Sequence, residues 1–103
     1  MDNTFKLPND CVDMREVRQG VDATDRQLME LLERRFGYMR AAARIKSDRN
    51  VVRDEARKAE VVANATSDAA KLGLPSEQIA QIWDMLVECS INFELDEWDR
   101  LRS

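Results

Sequence analysis

The stretch from Asp13 to Ser47 constrains the fold of this chain more than any other. Taken every three or four residues it reads Met14, Val17, Val21, Thr24, Leu28, Leu31, Arg35, Tyr38, Ala42 and Ile45, a heptad-like seam with no proline in it. The pattern predicts one long helix. Asp13 with Glu16 three residues on forms a capping box for its start, and Asp48-Arg49-Asn50 ahead of β-branched Val51-Val52 marks its end. Such a helix is a rod of roughly 50 Å, whereas a compact domain of this chain length is roughly 33 Å across. The seam therefore outruns its own domain. With no second long heptad in the sequence, its simplest cover is another copy of the chain, and a homodimer is expected.

The chain has 103 residues, room for one domain over 1–103 with residues 1–12 as a lead-in. A domain this short buries only about 60 to 65% of its unfolded surface, so association would help it. Three glycines and two prolines against 44% hydrophobic and 35% charged residues predict an all-α fold. The net charge of −4 disfavours nucleic acid as a partner. The absence of histidine excludes imidazole general-base chemistry and histidine-ligated metals. Neither a metal nor a cofactor is expected. Cys11 and Cys89 lie far apart with no CxxC, and read as independent buried or half-buried thiols. No apolar leader and no 18-residue apolar run are present, which predicts a soluble cytoplasmic protein without a membrane partner.

After the long helix, Ser47 to Val52 reads as a short charged loop. A second helix is expected from about Arg53 to Leu72, with Ala56, Ala59, Val62 or Ala63, Thr66 and Ala69 or Ala70 on its packed side. Gly73 stands where a left-handed cap is wanted, and Pro75 opens a third helix with Glu77 in its first turn. That helix carries an apolar stripe of Ile79, Ile82, Trp83, Leu86, Cys89 and Phe93, continuing to Trp98 and Leu101.

The basic residues crowd the middle of the chain: Arg40, Arg44, Lys46, Arg49, Arg53, Arg57 and Lys58. The run suits either a solvated charged face or a small anionic ligand. Arg35 occupies a seam position where a hydrophobe belongs, so its guanidinium must be paired or must face a ligand. Lys46, eleven residues on, falls about 20° from the same helix face. Arg18 lies about 25 Å from Arg35 along the rod, too far to share a small ligand within one chain. In an antiparallel pair of rods, Arg18 of the partner could complete the pocket. Ser90 and Glu94 are spaced i, i+4 on the third helix, a pairing that also occurs as a plain polar edge.

Asp10-Cys11, Met14-Arg15-Glu16-Val17-Arg18, Leu31-Leu32-Glu33-Arg34-Arg35, Ala41-Ala42-Ala43-Arg44-Ile45-Lys46 and Val52-Arg53-Asp54 with Arg57 together resemble the all-helical chorismate mutase family. The lead-in Asp-Cys and the run from Tyr38 to Lys46 are closer to the branch that includes isochorismate pyruvate lyases. The resemblance covers roughly residues 9–98. It implies three helices per chain, one long and two shorter, in an intertwined helical homodimer, and a small dicarboxylate substrate, chorismate or isochorismate, in a pocket shared between subunits. It places Arg18 of the partner, Arg35 and Arg57 on the substrate carboxylates and Lys46 and Glu94 at the ether oxygen. Asp54 and Ser90 are implied to line the pocket. Two departures stand out: Lys58 occupies a position where many mutases have glutamate, and Glu94 one where many bacterial members have glutamine.

The Claisen rearrangement of chorismate to prephenate is unimolecular and needs no nucleophile, metal or histidine. It needs a folded enolpyruvyl arm and positive charge at the breaking C–O bond, which guanidinium clamps and a preorganised ammonium supply. Elimination of pyruvate from isochorismate uses the same parts, as would a mutase acting on an amino analogue of chorismate; Lys58 favours these alternatives. A non-enzymatic helical dimer is the remaining reading, set against the presence of all four cations.

Overall fold

The computed structural model describes residues 5–103, so the first four residues of the expected lead-in lie outside the described residues. Three α-helices and two 3-10 turns make up the fold, with no strand among the described residues. They are α1 (Met14–Ile45), α2 (Glu55–Lys71) and α3 (Ser76–Arg102), and the turns are Pro8–Asp10 and Arg49–Val51. No helix is long and apolar enough to cross a membrane. Two compact units divide the chain within α1, one ending at Arg35 and the other spanning Phe36–Ser103.

In the first unit the lead-in is latched to the start of α1. Asp13 Oδ1 accepts the Glu16 N–H at 2.9 Å, and Glu16 Oε1 accepts the Val12 N–H at 2.9 Å. This is the expected capping box shifted by one residue, since Glu16 reaches Val12 rather than Asp13. Lys6 Nζ completes it at 2.6 Å from Glu16 Oε2. Along the same stretch of α1 the seam residues Val17, Val21, Leu28 and Leu31 are all exposed. These apolar side chains have no cover within the unit.

The second unit contains the core. Val52, Val87 and Ile91 are buried, with Val61, Leu95 and Trp98 packed against them. Two of the expected apolar faces are rotated. On α3 the buried line is Val87, Ser90, Ile91 and Glu94, whereas Ile82, Cys89 and Leu101 are exposed. Ile79, Trp83, Leu86, Phe93 and Trp98 of the expected stripe are half-buried, so it runs along the flank of the buried line. On α2, Ala56, Ala59 and Ala63 face solvent, and the packed side runs through Lys58, Val61, Val62, Ala65, Thr66 and Ala69. Val61 packs against the core from this side, and Lys58 reaches across to α3. Its Nζ lies 2.7 Å from Glu88 Oε2 and 3.1 Å from Asp84 Oδ1. Both cysteines are free thiols, Cys11 half-buried and Cys89 exposed, so the expectation of burial fails for Cys89.

The turn between α2 and α3 follows the sequence closely. Gly73 has φ +71°, the left-handed conformation that glycine adopts without strain. The Leu74 N–H bonds to Ala69 O at 2.8 Å and the Gly73 N–H to Ala70 O at 3.3 Å, the paired bonds of a Schellman cap. Pro75 is the residue just before α3 rather than its first turn, displaced by one position from the expectation.

Glu88 holds α2 and α3 together through two cations. Arg53 Nη2 donates to Glu88 Oε1 at 2.7 Å and Nη1 to Oε2 at 3.0 Å, alongside the Lys58 contact. These hydrogen bonds, Arg53 first and Lys58 second, hold the Glu88 carboxyl at about 2, well below its ordinary 4.5. A depressed folded-state pKa stabilises the fold above the unfolded value and ceases to do so as pH falls through the folded one. The Glu88→Gln variant is therefore expected to melt lower than the parent at pH 7. Its deficit should shrink between about pH 4.5 and about pH 2. Parallel thermal melts across that range check this; a deficit independent of pH would exclude the ion pairs as its source.

Candidate functional site

Among the seven residues singled out in the sequence, Lys46 and Glu94 form an ion pair between the end of α1 and α3. Lys46 follows the last residue of α1, its N–H still bonded to Ala42 O at 2.9 Å. Its Nζ lies 2.8 Å from Glu94 Oε2 on α3. The Glu94 side chain is only 5% exposed and that of Lys46 30%, so the ammonium bridges a buried carboxylate and the surface. The alignment at Oε2 is not that of a hydrogen bond, leaving the contact chiefly coulombic. A buried carboxylate is tolerable only with a charge partner of this kind.

Ser90 lies one turn before Glu94 and is buried beside it on the same helix line. Its hydroxyl donates to Leu86 O at 2.7 Å. Phe93, the residue before Glu94, meets Phe36 edge to face at 5.0 Å between centroids, with the Arg40 guanidinium over its ring at 5.1 Å.

Asp54 and Arg57 belong to the start of α2. Asp54 is its N-cap, accepting the Arg57 N–H at 3.0 Å, so the carboxylate serves the helix end. The Arg57 side chain is 63% exposed and turned toward Glu60. Neither side chain touches Lys46 or Glu94 among the described contacts. Arg18 is exposed and Arg35 half-buried, both in the first unit.

Most of the central basic run is paired within its own unit. Arg49 meets Asp99 at 2.8 Å, Arg53 and Lys58 meet Glu88, and Arg57 meets Glu60. For Arg49, Arg53 and Arg57 a solvated charged face describes what is seen, whereas Lys58 is half-buried between Glu88 and Asp84. Lys46 differs because its carboxylate is buried.

Two further residues at this site were not singled out from sequence. Trp98 and Arg102, i and i+4 on α3, both donate to backbone carbonyls at the end of α1. An aromatic and an arginine in the last turns of a helix give too little signal to show what they grip.

Comparison with known proteins identifies the family. An isochorismate pyruvate lyase from Pseudomonas aeruginosa is 24% identical over 98 residues, covering 95% of this chain and 97% of the relative. Residues 17–95 match the family described as chorismate mutase type II. That span runs from the exposed seam of α1 through the Lys46–Glu94 pair on α3, and the chain belongs to the chorismate mutase type II family.

Proposed function

We propose that this chain is a chorismate mutase, converting chorismate to prephenate by a Claisen rearrangement. The observation that carries the reading is the Lys46 ammonium, held on a buried carboxylate and open to an incoming ligand. In the reaction the ether C–O bond breaks as a C–C bond forms between the enolpyruvyl methylene and the ring. Electron density builds on the ether oxygen, and Lys46 is the donor that meets it. Arg35 and Arg57 take the substrate carboxylates, which folds the arm over the ring and converts a rare conformer into the bound one. Arg57 must leave Glu60 to do so, and its exposure leaves that swing free of steric cost. Asp54 contributes by fixing the first turn of α2, and Ser90 by lining the floor beside Glu94.

The working unit in this reading is an antiparallel homodimer. Val17, Val21, Leu28 and Leu31 in the first unit and Tyr38 and Ile45 in the second are apolar seam residues left exposed by the single chain. A second α1 laid against them covers the seam and carries its Arg18 toward the pocket.

Isochorismate pyruvate lyase activity is the second reading, supported by the near full-length similarity to such an enzyme and by Lys58. There the same C–O bond breaks while a ring hydrogen moves to the enolpyruvyl methylene, releasing pyruvate and leaving salicylate. Lys58 is committed to Glu88 and Asp84, which removes an acidic partner for a ring hydroxyl at that position. Steady-state kcat/KM with chorismate and isochorismate side by side separates the two. A clear preference for isochorismate would reverse the assignment.

Glu94 faces the same developing charge as Lys46. A carboxylate repels that charge, whereas an uncharged side chain with a donor can hydrogen-bond to the ether oxygen. Glu94→Gln keeps the size and supplies a donor, so it is expected to retain activity. The check is kcat/KM of the variant beside the parent; a dead Gln variant would show that Glu94 works as an anion.

A further inference from the structure

The end of α1 that carries Lys46 is held by α3 rather than by its own chain direction. The last four carbonyls of a helix have no partner within it. Here the Lys46 carbonyl accepts two hydrogen bonds from α3, from Trp98 Nε1 at 3.0 Å and Arg102 Nη2 at 2.8 Å. Arg102 Nη1 adds a third bond, to Ala43 O at 3.1 Å, one turn earlier. The guanidinium is itself fixed, stacked over the Trp98 ring at 4.2 Å and bonded to Trp98 O at 3.3 Å. A cation at this terminus also complements the negative end of the helix dipole. Trp98 in turn packs against the core of Val52, Val87 and Ile91. A continuous path thus runs from the core, through an aromatic ring and a planar five-donor fork, to the backbone of Lys46.

Glu94 lies one turn before Trp98 on the same helix. One segment of α3 therefore grips Lys46 twice, by the backbone through Trp98 and Arg102 and by the side chain through Glu94. Lys46 is the first residue past α1, where a helix end otherwise frays.

We propose that Trp98 and Arg102 are positioning residues that set the location of the Lys46 ammonium relative to Glu94 and the substrate. Neither touches the reacting atoms. A lysine has four rotatable side-chain bonds, so its ammonium is only as well placed as its backbone and its charge partner make it. Loss of preorganisation at an oxyanion-type donor lowers turnover more than ground-state binding. The inference rests on the role given above to Lys46, and its test separates the two.

Trp98→Phe removes one donor and keeps the ring, and Arg102→Met removes the fork and keeps the stem. Each is expected to lower kcat about tenfold to a hundredfold with little change in KM, the scale of a small misplacement of a catalytic group. In a Lys46→Ala background the same substitutions should cost nothing further, because they act through Lys46. Arg102→Lys, which retains one donor, should recover part of the loss and also serves if the Met variant folds poorly. Equal losses with and without Lys46 would reduce the pair to general stability and overturn the proposal. Unchanged kcat in both variants would do the same.

A second readout needs no turnover. The 15N resonance of Lys46 Nζ, assigned by its loss in Lys46→Ala, should move on Glu94→Gln in the parent. That response should be much smaller when Trp98 or Arg102 has been replaced. A response of full size in the Trp98→Phe and Arg102→Met backgrounds contradicts the positioning role whatever the substrate proves to be. If neither chorismate nor isochorismate is consumed by the parent, the functional reading fails while this measurement still decides the clamp.

Discussion

Replacing Lys46 with alanine is expected to lower kcat by at least about two orders of magnitude, the loss typical of a deleted oxyanion-type donor, with a small change in KM. The asymmetry follows from when the charge appears. In the ground state the ether oxygen is nearly neutral and gains little from an ammonium. As the C–O bond stretches it takes up electron density, and a cation already in place needs no reorganisation to meet it. Burial of Glu94 beneath Lys46 sharpens the effect, because removal of the ammonium leaves a carboxylate 5% exposed and without its partner. The variant should therefore also be less stable, and thermal melts must accompany the kinetics. Glu94→Gln in the Lys46→Ala background should restore stability without restoring kcat. A Lys46→Ala protein changed only in KM would contradict the assigned role.

Arg18→Ala and Arg35→Ala proteins are each expected to be nearly inactive, and unfolding and refolding them together should bring activity back. Seventeen residues of α-helix separate the two positions, about 25 Å, so one chain cannot bring both to one small dicarboxylate. In an antiparallel pair each pocket draws Arg35 from one chain and Arg18 from the other. A mixed dimer then has one pocket that lacks both arginines and one that lacks neither. Statistical pairing gives mixed dimers for about half of the refolded population, each with a single intact site. Sedimentation of the same samples must show dimers for the comparison to hold. Folded mixed dimers without activity would rule out sharing, and a stable monomer at micromolar concentration would remove its basis.

The sequence exposed most where local chemistry acts alone. The seam predicted α1 to within two residues at its C-terminal end, and Gly73 announced a left-handed cap that the structure contains. Both signals are short-range: an apolar period and a backbone conformation that one residue type tolerates best. The packed faces of α2 and α3 were less legible. Ala59 and Ile82 looked interior by apolar spacing, yet Ala69 and Val87 are the buried residues there and half-buried Lys58 pairs with Glu88 and Asp84 on the packed side of α2. Long-range charge pairing leaves no periodic trace in a sequence.

At the site, the family pattern brought out Lys46 and Glu94, which lie in contact, and spacing alone had put Ser90 on the line of Glu94. Asp54 turned out to cap α2, a role its position before Glu55 and three residues ahead of Arg57 could have shown. Trp98 and Arg102 could not have been found in this way. Their partners are backbone carbonyls about fifty residues away, and a carbonyl is the same at every position.

Product identification after incubation of the purified protein with chorismate, with nothing else added, tests the proposed function most directly. Proton NMR of the reaction is expected to show chorismate replaced by prephenate in equal amount, with no pyruvate released, and loss of that conversion in Lys46→Ala. Chorismate left intact under conditions where isochorismate yields salicylate and pyruvate, or a conversion that survives loss of Lys46, would contradict it.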